Sequence, residues 1–222
     1  MAAKQTRIII NGAAGRMGRL ACEVIGALPQ FSIVARCGRA DDLTAKIHET
    51  KAAVVFDVTE ATSVYHNTET ILKAGARPII GTSGLTETQV NTLSEVAEAH
   101  QLGGIIAPNF SLGALLMMRF AKETAKYFFQ AEIIEMHHAQ KKDAPSGTAI
   151  RTAEMMNLHP AIHSVRLPGI LARQQVIFGG RGETLTLEHH TISYEAFSAG
   201  ICLACENIME VKTLVYGLDK FL

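Results

Sequence analysis

The stretch Arg7-Ile-Ile-Ile-Asn-Gly12-Ala-Ala-Gly15-Arg-Met-Gly18 decides how this chain folds. Residues 7–11 are a short apolar run of β-branched side chains, the pattern of a buried parallel strand. The run passes straight into glycines spaced G-x-x-G-x-x-G. A helical pattern follows, with Leu20, Val24 and Leu28 on one face, and Pro29 stops it. Strand, glycine turn and helix in that order give the motif its meaning. Gly12 permits a tight turn, while Gly15 and Gly18 let backbone approach a pyrophosphate and helix approach strand. Ala14 stands where the standard dinucleotide fingerprint has its second glycine. A loop using glycine only to turn is the bland alternative.

Outward from that stretch the alternation continues. Phe31–Cys37 reads as a second strand, Ala53–Val58 as a third, Arg77–Ile80 as a fourth and Gly104–Ala107 as a fifth. Helical patterns run from Thr62 to Ala74, closed by Gly75, and from a Thr86/Gln89 capping box to about His100. Such a β/α alternation predicts a doubly wound parallel sheet, which binds ligands at the carboxyl ends of its strands. Gly12, Thr82, Ser83 and Asn109 all fall at such ends, so one crevice collects them. The tip of the second strand usually carries an acid for the ribose hydroxyls of NAD. Here it reads Cys37-Gly38-Arg39, which tilts the choice toward the 2′-phosphate of NADP, although Asp41 could fold back.

A helix over Leu112–Phe129, with Leu115, Leu116, Met118 and Phe120 available for packing, leads to Glu135-Met-His-His-Ala-Gln-Lys-Lys-Asp-Ala-Pro-Ser-Gly-Thr148. The pattern places a strand end at His137 and His138, a loop carrying Lys141 and Lys142, and a helix opening at Pro145-Ser146-Gly147-Thr148. N–H groups at a helix start favour an anion, lysines add positive charge, and a histidine donates a proton near neutral pH. Together they predict a pocket for a small carboxylate undergoing proton transfer; a solvated basic loop is the alternative. Gln174–Phe178, a turn at 179–182 and Glu183–His190 then read as antiparallel sheet with one wet face. Gly200–Leu214 reads as a last helix returning to the first domain. The expected division is 1–109, completed by 197–222, against 110–196.

The totals exclude several classes. Lys+Arg and Asp+Glu both count 21, so no global field points to nucleic acid or an anionic membrane. The start, MAAKQTRIII, lacks a signal-peptide pattern and no apolar run reaches a membrane span, which reads as cytoplasmic. Cys202 and Cys205 form C-L-A-C within a helical pattern without a second pair at zinc spacing, so a helix face is expected there. Adjacent strand residues point to opposite faces, which makes His137 and His138 poor joint zinc ligands.

Asn11–Gly18, Gly81-Thr-Ser83, Ala107-Pro-Asn-Phe-Ser111 and above all E-M-H-H with Lys141 and Asp143-Ala-Pro-Ser-Gly-Thr148 resemble the 4-hydroxy-tetrahydrodipicolinate (dihydrodipicolinate) reductase family. The resemblance spans most of the chain. It implies a Rossmann-like domain plus a smaller α+β domain with a mixed or antiparallel sheet, used for substrate and oligomerisation. It implies reduction of a cyclic dicarboxylate by NADPH or NADH with loss of water, in lysine and diaminopimelate biosynthesis, by a homotetramer. By position, His137 is implied as general acid/base with Lys141 as catalytic partner. His138, Ser146, Gly147 and Thr148 are implied to hold substrate. Gly12, Ala13, Ala14, Gly15, Arg16 and Met17 would hold pyrophosphate. Gly81, Thr82, Ser83, Ala107, Pro108, Asn109 and Phe110 would line the ribose and nicotinamide side, and Arg39 the NADP phosphate. The chain departs from the family pattern at Gln140, where a third histidine is usual, at Gly38, where an acid is common, and at Tyr194, where an arginine is common. A related small-acid oxidoreductase and a cofactor-sensing regulator are the competing expectations.

Overall fold

A computed structural model describes residues 5–222, so part of the reading of the chain's start, at residues 1–4, lies outside the described residues. The described residues fall into two compact units, one reaching Phe110 and resuming at Phe197–Leu222, the other Ser111–Ala196.

The first unit is a Rossmann-like α/β sheet. Its six strands are β1 (Thr6–Asn11), β2 (Phe31–Cys37), β3 (Val54–Asp57), β4 (Arg77–Ile80), β5 (Gly104–Ile106) and, late in the chain, β10 (Leu214–Tyr216). They lie in the order β10-β5-β4-β3-β1-β2, each pair parallel. The chain steps outward from β1 to β2 and returns to β3, so the switch point lies between β1 and β3. Ile8, Ile9 and Ile10 are fully buried on both faces, as a central parallel strand requires. The helices of this unit are α1 (Arg16–Gly26), α2 (Leu43–Thr50), α3 (Val64–Lys73), α4 (Glu87–Ala99) and α7 (Ser198–Asn207). The Thr86/Gln89 capping box at α4 is present in both its bonds.

Three expectations are corrected here. The deepest ridge of α1 is Gly18, Ala21 and Ile25, not Leu20, Val24 and Leu28, which are only partly buried. Small residues let this helix approach the strand, and a hydrophobicity pattern gives them little weight. The region between β2 and β3, left without an element by the sequence, holds α2, with Asp42 accepting from the Ala45 N–H as its cap. The last helix ends at Asn207, and Leu214–Tyr216 is an edge strand paired with Gly104–Ile106 rather than a continuation of it. Cys205 does sit on the buried face of that helix, where burial pushes its thiol up to about 12.

The second unit contains α5 (Leu112–Thr124), β6 (Gln130–His137), α6 (Gly147–Met156), β7 (Ala161–Arg166), β8 (Ala172–Gly180) and β9 (Glu183–Thr191). The sheet order is β7-β6-β8-β9, with β7 parallel to β6 and the other pairs antiparallel. The sheet is therefore mixed, because β7, an edge strand with no counterpart among the expected elements, runs alongside β6. The strand β8 extends through Gly180, so the hairpin turn narrows to Arg181-Gly182. The helix α5 stops at Thr124 and does not reach Phe129. Leu115 and Met118 are buried, but Leu116 and Phe120 face outward.

Register explains where the chemistry sits. Side chains alternate across a strand, so Ile133, Glu135 and His137 share one face of β6. Ile133 pairs with Val176, which pairs with Leu187, inside a core completed by Ala121, Ala149 and Phe178. One step along, the row is Ser164, Glu135, Gln174 and His189. The same face thus passes from oil to polar groups as β6 nears its end.

Candidate active site

In the first unit, the carboxyl ends of β1 and β3 form a cavity of about 540 Å³ lined by Gly12, Ala14, Gly15, Gly38, Arg39 and the turn after β3. Gly12 has φ +85°, and a Cβ there would meet the Val58 carbonyl oxygen at 2.6 Å. A Cβ on Gly18 would meet the Gly12 oxygen at 2.1 Å. Both positions demand glycine, and the result is an α1 that begins at the sheet edge. Its N-cap, Gly15, supplies no side-chain acceptor, as at α3 and α7 and in contrast to the side-chain caps of α2, α4, α5 and α6, and its first turn carries no acid. A helix start of this kind suits a phosphate. Gly38 has no atom within 4 Å of a notional Cβ, which leaves space at the β2 tip. These residues fit a dinucleotide.

Beneath this cavity lies a group the sequence did not single out. Asp57, at the end of β3, is fully buried and accepts from Asn11 Nδ2 at 2.7 Å, Asn67 Nδ2 at 2.9 Å, Thr59 Oγ1 at 2.8 Å, Thr82 Oγ1 at 2.8 Å and the Thr59 N–H at 3.2 Å. This network ties together the ends of β1, β3 and β4 and the helix α3 without a cation. Buried carboxylates survive only when so satisfied.

Two predicted residues turn their side chains inward. Thr82 turns its hydroxyl to Asp57. Phe110 is 3% exposed, stacked on Phe56 at 5.4 Å, with its ring over Gly81. Its side chain belongs to the core. Ala107 is buried as well, while Ser83 and Pro108 are exposed and Ala13, Met17 and Asn109 half-buried. Arg16 is exposed at the start of α1.

In the second unit, Glu135 is the centre. Its fully buried carboxylate receives Arg166 Nη1 at 2.9 Å and Nη2 at 2.8 Å, the Ser146 N–H at 3.2 Å and His137 Nδ1 at 2.6 Å. Burial alone would raise its pKa, but the bonds from Arg166, Ser164 and His137 outweigh that and hold it at about 2. A carboxylate only accepts, so His137 must carry its proton on Nδ1 and has Nε2 left for a ligand. Desolvation pushes the His137 pKa below its ordinary 6.5, the Glu135 bond opposes that, and the charges of Lys141 and Arg166 add to the lowering. Lys141 Nζ donates to both Asp143 carboxylate oxygens at 2.8 Å, and Arg166 also donates to the Asp143 carbonyl at 2.7 Å.

The remaining predicted residues divide. His138 follows the last residue of β6, its Nδ1 3.1 Å from Gln140 Oε1. Ser146 is not turned outward: it is 2% exposed, its hydroxyl caps α6 by accepting from Ala149 N, and its N–H goes to Glu135. Gly147 is exposed with open space around it, and Thr148 is half-buried behind it. Arg166 was missed because it lies 31 residues from Glu135 and reaches it only through the β6–β7 pairing, which sets it opposite His137. Glu135 was visible within E-x-H-H, two residues before His137 and therefore on the same strand face.

A doubly wound sheet with a glycine turn at its switch point, together with a unit holding a carboxylate-oriented histidine beside a lysine, defines a Rossmann-type oxidoreductase. Residues 6–110 match the family described as "Dihydrodipicolinate reductase, N-terminus" and residues 113–222 the one described as "Dihydrodipicolinate reductase, C-terminus". The chain belongs to the dihydrodipicolinate reductase family. It is 50% identical to the 4-hydroxy-tetrahydrodipicolinate reductase of Legionella pneumophila (strain Paris), over 98% of this chain and 100% of that protein. It is 47% identical to the enzyme of the same name from Coxiella burnetii (strain Dugway 5J108-111), over 97% and 98%. The solved structure of dipicolinate-bound dihydrodipicolinate reductase from Paenisporosarcina sp. TG-14 superposes with a TM-score of 0.85 at 36% identity, covering 98% of this chain and 100% of that one.

Proposed function

We propose that this protein reduces 4-hydroxy-tetrahydrodipicolinate to tetrahydrodipicolinate in lysine and diaminopimelate biosynthesis. The reaction consumes one hydride from NADPH or NADH and one proton, and releases water. The observation that carries the reading is the Glu135–His137 pair beside Lys141, at the end of a strand that faces the start of α6. A bound nicotinamide nucleotide supplies the hydride, and Gly12, Ala14, Gly15 and Arg39 would hold it.

The chain's own residues do the rest. Glu135 fixes the His137 ring, and Nε2, once protonated, delivers the proton as general acid. Lys141 leaves Asp143 for a substrate carboxylate, and Gly147 with Thr148 takes an anionic oxygen at the helix start. His138, just past the end of β6, would add a further substrate contact. These contacts orient a dianion and strengthen as charge shifts in the transition state. Arg39 favours NADPH.

The second unit's sheet is the proposed contact of a homotetramer, since Leu185 is 39% and Ile192 83% exposed on and beside β9. A light-scattering mass of four times the 24.0 kDa chain would support the tetramer, and a mass of one chain would refute it. No helix of the described residues is long and apolar enough to cross a membrane, and we place the reaction in the cytoplasm.

The deciding assay follows NADPH or NADH oxidation with substrate freshly made from pyruvate and aspartate semialdehyde. Absorbance loss that disappears in H137A and K141A, with cofactor binding retained, supports the reductase. Turnover undiminished in the double variant refutes it, and tight NADPH binding without any turnover favours a cofactor sensor.

A further inference from the structure

We infer that Glu60 is a cofactor-specificity residue: its carboxylate, paired with Arg39 at the mouth of the cavity, sets the balance between NADH and NADPH. This rests on the nicotinamide-nucleotide reading of the crevice. An acid near the ribose favours hydroxyls, which donate to it, and disfavours a 2′-phosphate, which it repels. Three positions near the β2 tip are the natural places to look for that acid, and only Asp41, which lines the cavity, keeps one there. Residue 38 is glycine. Asp41 folds back so that its carboxylate accepts from the Gly38 N–H at 2.8 Å. Asp42 is committed to capping α2, accepting from Ala45 N at 3.0 Å.

A second carboxylate, the one that faces Arg39, comes from the turn after β3. Glu60 lines the same cavity as Gly38 and Arg39, and its carboxylate lies 2.7 Å from Arg39 Nη2. Its backbone is fixed, because the Glu60 carbonyl accepts from Ser63 N at 3.0 Å and Val64 N at 3.1 Å where α3 begins. Its side chain is 64% exposed and that of Arg39 85%, so the pair is weakly held and either partner swings easily. Glu60 therefore competes directly with a 2′-phosphate for Arg39, and accepts from the ribose hydroxyls when no phosphate is there. One ion pair carries both options.

The test is cofactor affinity measured by titration of the whole protein, without substrate, for NADPH and NADH with the parent, E60Q and R39Q. Glu60→Gln keeps the shape and removes the charge. The expected result is tighter NADPH and weaker NADH, moving the Kd ratio at least about ten-fold toward NADPH, the scale of one charged hydrogen bond gained or lost. Arg39→Gln moves the ratio the other way. A purely structural role would weaken both cofactors alike, so equal changes, or none, in E60Q overturn the assignment whether or not the protein turns substrate over. A parent that binds neither nucleotide overturns the cofactor reading and this inference with it. Binding with a shifted ratio but no turnover upholds Glu60 and counts only against the proposed reaction.

Discussion

Replacing Glu135 by glutamine isolates the charge at the centre of the second unit. In the parent the Glu135 carboxyl is held at about 2 against an ordinary 4.5. At roughly 1.4 kcal/mol per pH unit, that difference is worth about 3 kcal/mol of folding stability. The sign follows from the folded form binding its proton more weakly than the unfolded one. The contribution is complete above the ordinary value and is lost as pH falls from about 4.5 toward 2. Denaturant melts of parent and E135Q at several pH values between 2 and 7 measure it. The gap between the two proteins should shrink by about 3 kcal/mol on acidification, since other carboxylates are common to both. Activity should suffer separately. An amide at 135 either donates to His137 Nδ1, forcing the opposite ring tautomer, or turns its NH2 on Arg166. The expected loss is about 10²-fold or more in kcat with cofactor affinity unchanged, by analogy with a wrong-tautomer histidine in a catalytic triad. Parallel stability curves, or a fully active E135Q, would refute the role given to this carboxylate.

Four further outcomes are expected. Because burial and neighbouring cations lower the His137 pKa, the acid form is scarce near neutrality in the free protein. The limb on which kcat/KM falls with rising pH should then have its midpoint below 6.5, and a midpoint above 7 contradicts the assignment. Gly18→Ala should lose at least about 2 kcal/mol, read as a fall in Tm, because its Cβ meets the Gly12 oxygen at 2.1 Å. Gly147→Ala, with open space, should melt normally yet raise KM for the dicarboxylate; a normal KM removes Gly147 from the substrate site. Asp57→Asn puts an NH2 among the donors of Asn11, Asn67, Thr59 and Thr82, and should cost about 2–3 kcal/mol and weaken cofactor binding, measured by denaturant melts and titration.

Much of this was written locally. The strand-glycine-helix start and the capping box at Thr86 each depend on neighbours a few residues away, so sequence displays them. The elements that escaped depend on distant partners. Leu214–Tyr216 is three residues long and becomes a strand only against Gly104–Ile106. Ala161–Arg166 has a weak alternation, and its place beside β6 gives it meaning. Leu43–Thr50 buries only Ile47, so its helical face is nearly silent. The same holds at the sites: His137, Lys141 and Gly12 announce themselves by motif. Asp57 reads as one more strand residue until β1, β4 and α3 deliver their donors to it. Thr82, Phe110 and Ser146 lie in the motifs, but their side chains face inward, a direction no motif encodes.

The loop from His138 to Pro145 is fastened at its far end to the strand it leaves. The Ser146 N–H bonds the Glu135 carboxylate, and Arg166 joins that carboxylate to the Asp143 carbonyl. A loop stitched in this way does not wait for a ligand to become ordered. In deuterated water, the Ser146 amide should exchange only when the unit itself opens, while the exposed Gly147 amide beside it exchanges on the fast timescale of surface peptides. Two adjacent peptide groups would then keep different clocks. One reports the survival of the unit, and the other would report the occupancy of the proposed anion position at the start of α6.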